Sequence, residues 1–162
     1  MKTFSEMPPH SRLWIYQADR EFSKEDILEI KKLADDFIDQ WTSHGKIMDA
    51  CIKLMYDRFV IVCVDERSAP ASGCGIDKSV RFIQQLEKDI KTSLLDRMNV
   101  AFHKENKIIT CKLSEVKEKV AAIFGMDWKN ATFFNNLIET KAELENNWLV
   151  PIKDSWLAQK MV

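Results

Sequence analysis

The chain lacks the features by which a sequence most readily declares a function. No run approaches the ~20 apolar residues that a membrane-spanning helix needs. The first residues, Met-Lys-Thr-Phe-Ser-Glu-Met-Pro-Pro-His, hold no apolar stretch of the signal-peptide kind. The expectation is a cytoplasmic protein with no membrane partner. Charge of one sign is missing too: 24 basic residues stand against 25 acidic ones, for a formal charge of −1. Without a face-wide basic excess to hold phosphate backbones, general nucleic-acid binding is disfavoured. Cysteine is sparse, at Cys51, Cys63, Cys74 and Cys111, and no two form a Cys-x-x-Cys pair. A reducing compartment argues against structural disulfides. Together with His10, His44 and His103, these cysteines fit no metal-ligand spacing, so no metal site is assigned. Internal repeats, low-complexity tracts and long linkers are absent, and no residue pattern names a cofactor.

What is present is an ordinary globular composition. The 162 residues are 46% hydrophobic and 30% charged, close to the average for folded domains. A chain of this length is most economically one domain, burying roughly 70% of its unfolded surface. The reading is a single α+β domain over 1–162, with residues 1–11 an N-terminal extension and 126–162 a C-terminal extension packing on the body.

The most informative stretch is Phe59 to Phe82. Phe-Val-Ile-Val-Cys-Val (59–64) is apolar at every position, as a central strand should be. Asp65-Glu66, then Ser72-Gly73-Cys74-Gly75, then a helical pattern from Ile76 follow. Strand-to-helix corners of this kind are common places for a binding site. Before it, Leu13 to Gln17 reads as a first strand. Ser23 opens a helix with Asp26 three residues on, near a capping box, and Phe22 and Ile27 form a hydrophobic staple. Ile27, Ile30, Leu33, Ala34, Phe37, Ile38 and Trp41 mark its inner face, and His44-Gly45 is read as its C-cap. Residues 47–56 alternate as a half-buried strand, with a helix as the alternative and Asp57-Arg58 as the turn into the central strand.

A second helix follows from Ile76, Val80, Ile83, Leu86, Ile90 and Leu94. Residues 99–103 and 107–113 suggest a hairpin. Ser114 is placed to cap a third helix that ends at Gly125. Beyond it, 131–134 is a short strand candidate and Thr140-Lys-Ala-Glu143 a capping-box signature, with Trp148, Pro151 and Trp156 in a packing tail. The aromatics Phe133, Phe134, Trp148 and Trp156 are read first as core. The order β-α-β-β-α-β-β-α predicts a mainly antiparallel sheet covered by two or three helices, a ferredoxin-like or split βαβ arrangement, with an irregular C-terminal extension.

Three chemistries compete at the corner. Lys78-Ser79 after a strand calls for a Walker A test, but the two glycine positions hold Ser72 and Asp77. A carboxylate there repels a phosphate, costing on the order of 1 kcal/mol at 4 Å in water and more when desolvated. The nucleotide-hydrolase reading fails. A small anion or polar metabolite at the helix start remains, with Arg67, Lys78 and Arg81 as candidate partners, against a reading in which Asp77 caps the helix and the glycines only turn the chain. Cys74, flanked by Gly73 and Gly75, is a candidate nucleophile or redox thiol, though no histidine is near it in sequence. Asp65, Glu66 and Asp77 are candidates for acid–base work or for Mg²⁺, but adjacent strand residues point to opposite faces.

Several of these residues also carry a resemblance. Trp41-x-x-His44-Gly45, Asp65-Glu66, Ser72-Gly73-Cys74-Gly75-Ile76-Asp77-x-Ser79-Val80, Thr140-Lys141, Trp148-x-x-Pro151 and Ser155-Trp156 together span nearly the whole chain. In them the sequence resembles a small uncharacterised bacterial protein family, some of whose members carry an automatic "ABC transporter ATPase" label. The resemblance implies no activity. The label sits badly with a chain lacking both Walker A glycines and a Leu-Ser-Gly-Gly-Gln signature. Where the family more often has Ser, this chain has Gly75, so no essential hydroxyl is assigned there. What the resemblance implies is where to look: Asp65, Glu66, Ser72, Gly73, Cys74 and Asp77.

The leading expectation is therefore a non-catalytic module that binds a small ligand or a partner through Ser72, Gly73, Cys74, Gly75 and Asp77, with Trp41 and His44 approaching from the first helix. The alternatives are an enzyme using Cys74 or the Asp65, Glu66 and Asp77 carboxylates, and an assembly protein that forms a homo-oligomer through a sheet edge or the Trp-rich tail.

Overall fold

The computed structural model describes residues 2–162. Within the chain read as one domain it distinguishes two compact units, Met1–Leu95 with Glu139–Ala142, and Asp96–Ile138 with Glu143–Val162. Both are built from helices and antiparallel strands, so the α+β class stands. The strand pairing does not reproduce the ferredoxin-like order, because the strands expected to share one sheet lie in separate ones.

In the first unit, β1 (Arg12–Gln17), β4 (Asp49–Met55) and β5 (Phe59–Asp65) form a three-stranded sheet in the order β1-β5-β4. β5 takes the centre because it is the one segment apolar on both faces, and all seven of its residues are buried. Val60, Val62 and Val64 face α1 (Lys24–Gln40) and α2 (Gly73–Ile90), packing with Ile30, Ile83 and Leu86. Each such side chain, fully buried, contributes roughly 1.5–3 kcal/mol. The opposite face carries Ile61 and Cys63, also buried. The 3-10 turn Phe4–Glu6 lies against β4. The outer edge of β1 is covered by 139–142, where Leu13 N–H donates to Glu139 O at 2.8 Å and Lys141 N–H to Ser11 O at 2.9 Å.

The capping box predicted at Ser23 is present with both hydrogen bonds, Asp26 N–H to Ser23 Oγ at 3.0 Å and Ser23 N–H to Asp26 Oδ2 at 2.8 Å. The helix end differs from expectation. α1 stops at Gln40, and β2 (Thr42–Ser43) pairs with β3 (Lys46–Ile47) through a two-residue turn. His44 and Gly45 both have positive φ, 51° and 78°, as a type I′ hairpin requires of its central pair. His44-Gly45 is thus a hairpin turn, not a helix C-cap. The turn before β5 likewise sits one residue early, with positive φ at Tyr56 and Asp57 instead of lying at Asp57-Arg58. Residues 49–55 form the strand expected in 47–56.

In the second unit, β6 (Asn99–Lys104), β7 (Lys107–Lys112), β8 (Thr132–Phe134) and β9 (Leu149–Pro151) make a four-stranded antiparallel sheet in the order β7-β6-β8-β9. The expected hairpin turns at Glu105-Asn106, both at positive φ. α3 (Val116–Phe124) ends at Gly125, but its start follows a 3-10 turn, Leu113–Glu115, without the side-chain cap expected from Ser114. α4 (Lys141–Asn147) follows the Thr140 signature. The segment 126–162 is therefore no irregular extension, since it supplies two strands of this sheet. Phe133, Phe134 and Trp148 are buried and Trp156 stacks edge-on to Phe133 at 5.5 Å, so the aromatic set is core.

Candidate functional site

The corner is built differently from the sequence reading. The helix begins three residues earlier than Ile76: Ser72 is the N-cap, with extended backbone, and its Oγ accepts from Gly75 N–H at 3.3 Å. Gly73, Cys74 and Gly75 are its first turn, and Asp77, expected as the cap, lies in the second turn and is exposed. A serine does this because its short hydroxyl reaches the N3 amide, worth about 1 kcal/mol.

That first turn is clamped by the strand after α1. The buried Trp41 indole donates from Nε1 to Gly75 O at 2.9 Å. Ser43 and Ser72 hydroxyls lie 2.6 Å apart, and Ser72 N–H donates to Ser43 Oγ at 3.4 Å. Either hydroxyl can donate to the other while Ser43 Oγ takes the Ser72 amide and Ser72 Oγ takes the Gly75 amide. Lys78 Nζ donates to Thr42 O at 3.1 Å and to Thr42 Oγ1 at 3.2 Å. Behind the clamp, Phe37 stacks on Trp41 at 5.0 Å and on Phe82 at 4.4 Å, tying α1 to α2. The corner is tight at Gly75: a Cβ there would meet Ser43 Cβ and Oγ at 3.3 Å.

Of the predicted residues, the structure joins Trp41, Ser72 and Gly75 and leaves the others apart. Gly73, Cys74 and Asp77 face outward, and a Cβ at Gly73 would meet nothing within 4 Å. His44 sits at the exposed tip of the β2–β3 turn and makes no hydrogen bond with the corner. No hydrogen bond or ion pair links Cys74 to a histidine among the described residues. Ser43 and Thr42, which complete the clamp, were missed. Their only sequence signal is a pair of small polar residues between Trp41 and a His-Gly turn.

The carboxylates do not converge. Asp65 is buried and fully engaged: Arg67 Nε reaches Oδ1 at 3.0 Å, Arg67 Nη2 reaches Oδ2 at 2.6 Å, and the Arg67 amide donates to Oδ1 at 3.1 Å. His10 Nε2 lies 3.4 Å away. The hydrogen-bonded Arg67 guanidinium holds the Asp65 carboxyl well below the usual carboxylate range, against the opposing effect of burial. Glu66 turns the other way, to Arg12 at 3.3 Å. Among the described residues, no three His, Cys, Asp or Glu side chains are placed to hold a metal ion.

A concavity lies on the other face of the sheet, a shallow groove of about 430 Å³ lined by residues 2–5 and 51–53. Lys2 pairs with Asp49 beside it, and Lys53 and Lys141 place their ammonium groups 5.1 and 5.2 Å from the Phe4 ring. Cys51 lies in its floor. No helix among the described residues is long and apolar enough to cross a membrane. No protein-family model, curated protein or solved structure matches the chain.

Proposed function

We propose that the protein is a cytoplasmic, non-catalytic module that binds a partner protein through the outer rim of the clamped corner. The observation that carries this reading is the clamp. Ser72, Gly75 and Trp41, the groups that would have held a small ligand, already satisfy one another, and a buried polar group that has a partner gains little by exchanging it for another. What the corner offers outward is Gly73 and Cys74 on the first turn and Asp77 on the second, held in place by the clamp. A rigid exposed surface suits a partner better than a metabolite, because less ordering is lost on docking. Catalysis finds no support at Asp65, whose lone pairs are occupied by Arg67. The four free cysteines are consistent with a reducing compartment.

The test is retention of binding partners on immobilised protein, comparing the native chain with a Cys74→Glu/Asp77→Lys variant of unchanged melting temperature. A protein held by the native chain and lost with the variant supports the rim. An identical retained set from both overturns it.

A further inference from the structure

Cys51 and Cys63 are direct cross-strand partners in the β4–β5 register. Side chains of directly opposed residues share a face with Cβ atoms about 4.5–5.5 Å apart, so the two thiols are neighbours whose titrations influence each other. Both are buried and neither is in a disulfide. They lie on the face of the sheet away from α1 and α2, and Cys51 forms part of the groove floor. Lys141 is buried next to the groove, its ammonium 5.2 Å from the lining Phe4 ring and held by Met7 O at 2.7 Å and Ser5 O at 3.4 Å. This places a positive charge near the groove whose lining includes Cys51, with Cys63 buried behind it.

We propose that Cys51 and Cys63 form a dithiol site that a small peroxide, entering through the groove lined by 2–5 and 51–53, converts to a cross-strand disulfide. The Cys51 thiolate attacks one peroxide oxygen: an S–O bond forms, the O–O bond breaks, and hydroxide leaves. Cys51 is thereby oxidised by two electrons to a sulfenic acid while the peroxide is reduced. Cys63 sulfur then attacks Cys51 sulfur. An S–S bond forms, the S–O bond breaks, and water departs with the proton of the Cys63 thiol. The roles follow from the surroundings. Cys51 is the member that lines the groove, and the neighbouring Cys63 thiol, then the Lys141 and Lys53 charges, favour its thiolate over the opposing effect of burial. Cys63, with its thiol pushed up by the neighbouring Cys51 and by burial, is the resolving partner. The exposed Cys74 is the competing thiol.

The experiment uses the full chain carrying Cys74→Ser, exposed to hydrogen peroxide, then alkylated in denaturant and digested with trypsin without reduction. Cys51 and Cys63 fall in separate tryptic peptides, 47–53 and 59–67. The expected result is these two peptides joined, lighter together by two hydrogens, and separated again by dithiothreitol. A Cys63→Ala variant is expected to yield a dimedone adduct on Cys51, and a Cys51→Ala variant to leave Cys63 unmodified. If either variant fails to fold, the peptide map decides alone. Both cysteines recovered as alkylated thiols, Cys51 recovered as sulfinic acid, or a link to Cys111 instead, overturns the proposal.

Discussion

The indole of Trp41 donates its N–H to the carbonyl of Gly75 at 2.9 Å, fixing the strand after α1 to the first turn of α2 in the interior of the first unit. Trp41→Phe keeps an aromatic ring but removes the donor together with part of the buried indole volume. The expected cost is about 1–3 kcal/mol, or several degrees at roughly 2–4 °C per kcal/mol for a chain of this size, read by thermal unfolding. An unchanged melting temperature would mean the bond contributes nothing.

The two glycines of that turn should respond with opposite sign. At Gly73 a methyl group meets open space, so Gly73→Ala should stabilise by about 0.4–1 kcal/mol, chiefly by restricting the unfolded chain. At Gly75 the same methyl presses on Ser43 at 3.3 Å. Overpacking of about 1–3 kcal/mol outweighs the helix-propensity gain of ~1 kcal/mol, and Gly75→Ala should destabilise. Denaturant midpoints of the two variants check the contrast.

Asp65 makes stability depend on acid. Its carboxyl is held below the unfolded value by Arg67, so the folded state binds a proton less readily than the unfolded chain. The contribution is fully present above the unfolded pKa of about 4 and is lost as pH falls toward the lower folded value. Asp65→Asn should flatten the decline in stability below about pH 4, measured by urea unfolding across pH. A parallel decline in both proteins would contradict the assignment.

Thiol labelling separates the cysteines. With Cys74 exposed and Cys51, Cys63 and Cys111 buried, Ellman's reagent should titrate one thiol quickly in the native protein and four in denaturant. Cys111 should lag, since burial pushes its thiol up. Rapid native reaction of two or more would show that the buried set is accessible.

The sequence was most legible where a feature depends on its own neighbours. Ser23 and Asp26 cap α1 through residues three apart, and the unbroken apolar run of β5 declares burial on both faces. It was least legible where distant segments decide. Ser72 and Asp77 are both good caps, and the choice falls to Ser72 because Ser43, 29 residues earlier, bonds to it. His44-Gly45 suits a helix end or a hairpin turn equally well, and two-residue strands are too short to show a period. β8 and β9, three residues each, acquire meaning only by pairing onto β6 and onto each other. The groove was hidden for the same reason. Residues 2–5 have no pattern of their own, and Cys51 and Cys63 meet only through the β4–β5 register.

The corner is closed by the Ser43 and Ser72 hydroxyls, and the proposed partner surface is the rim outside that closure. A double-mutant cycle on Ser43→Ala and Ser72→Ala, read by urea unfolding, tests it most directly. The expected coupling is about 0.5–1.5 kcal/mol, the range for a hydrogen-bonded pair in contact. Additive effects within about 0.3 kcal/mol would contradict it, leaving the Ser72 hydroxyl free for a ligand.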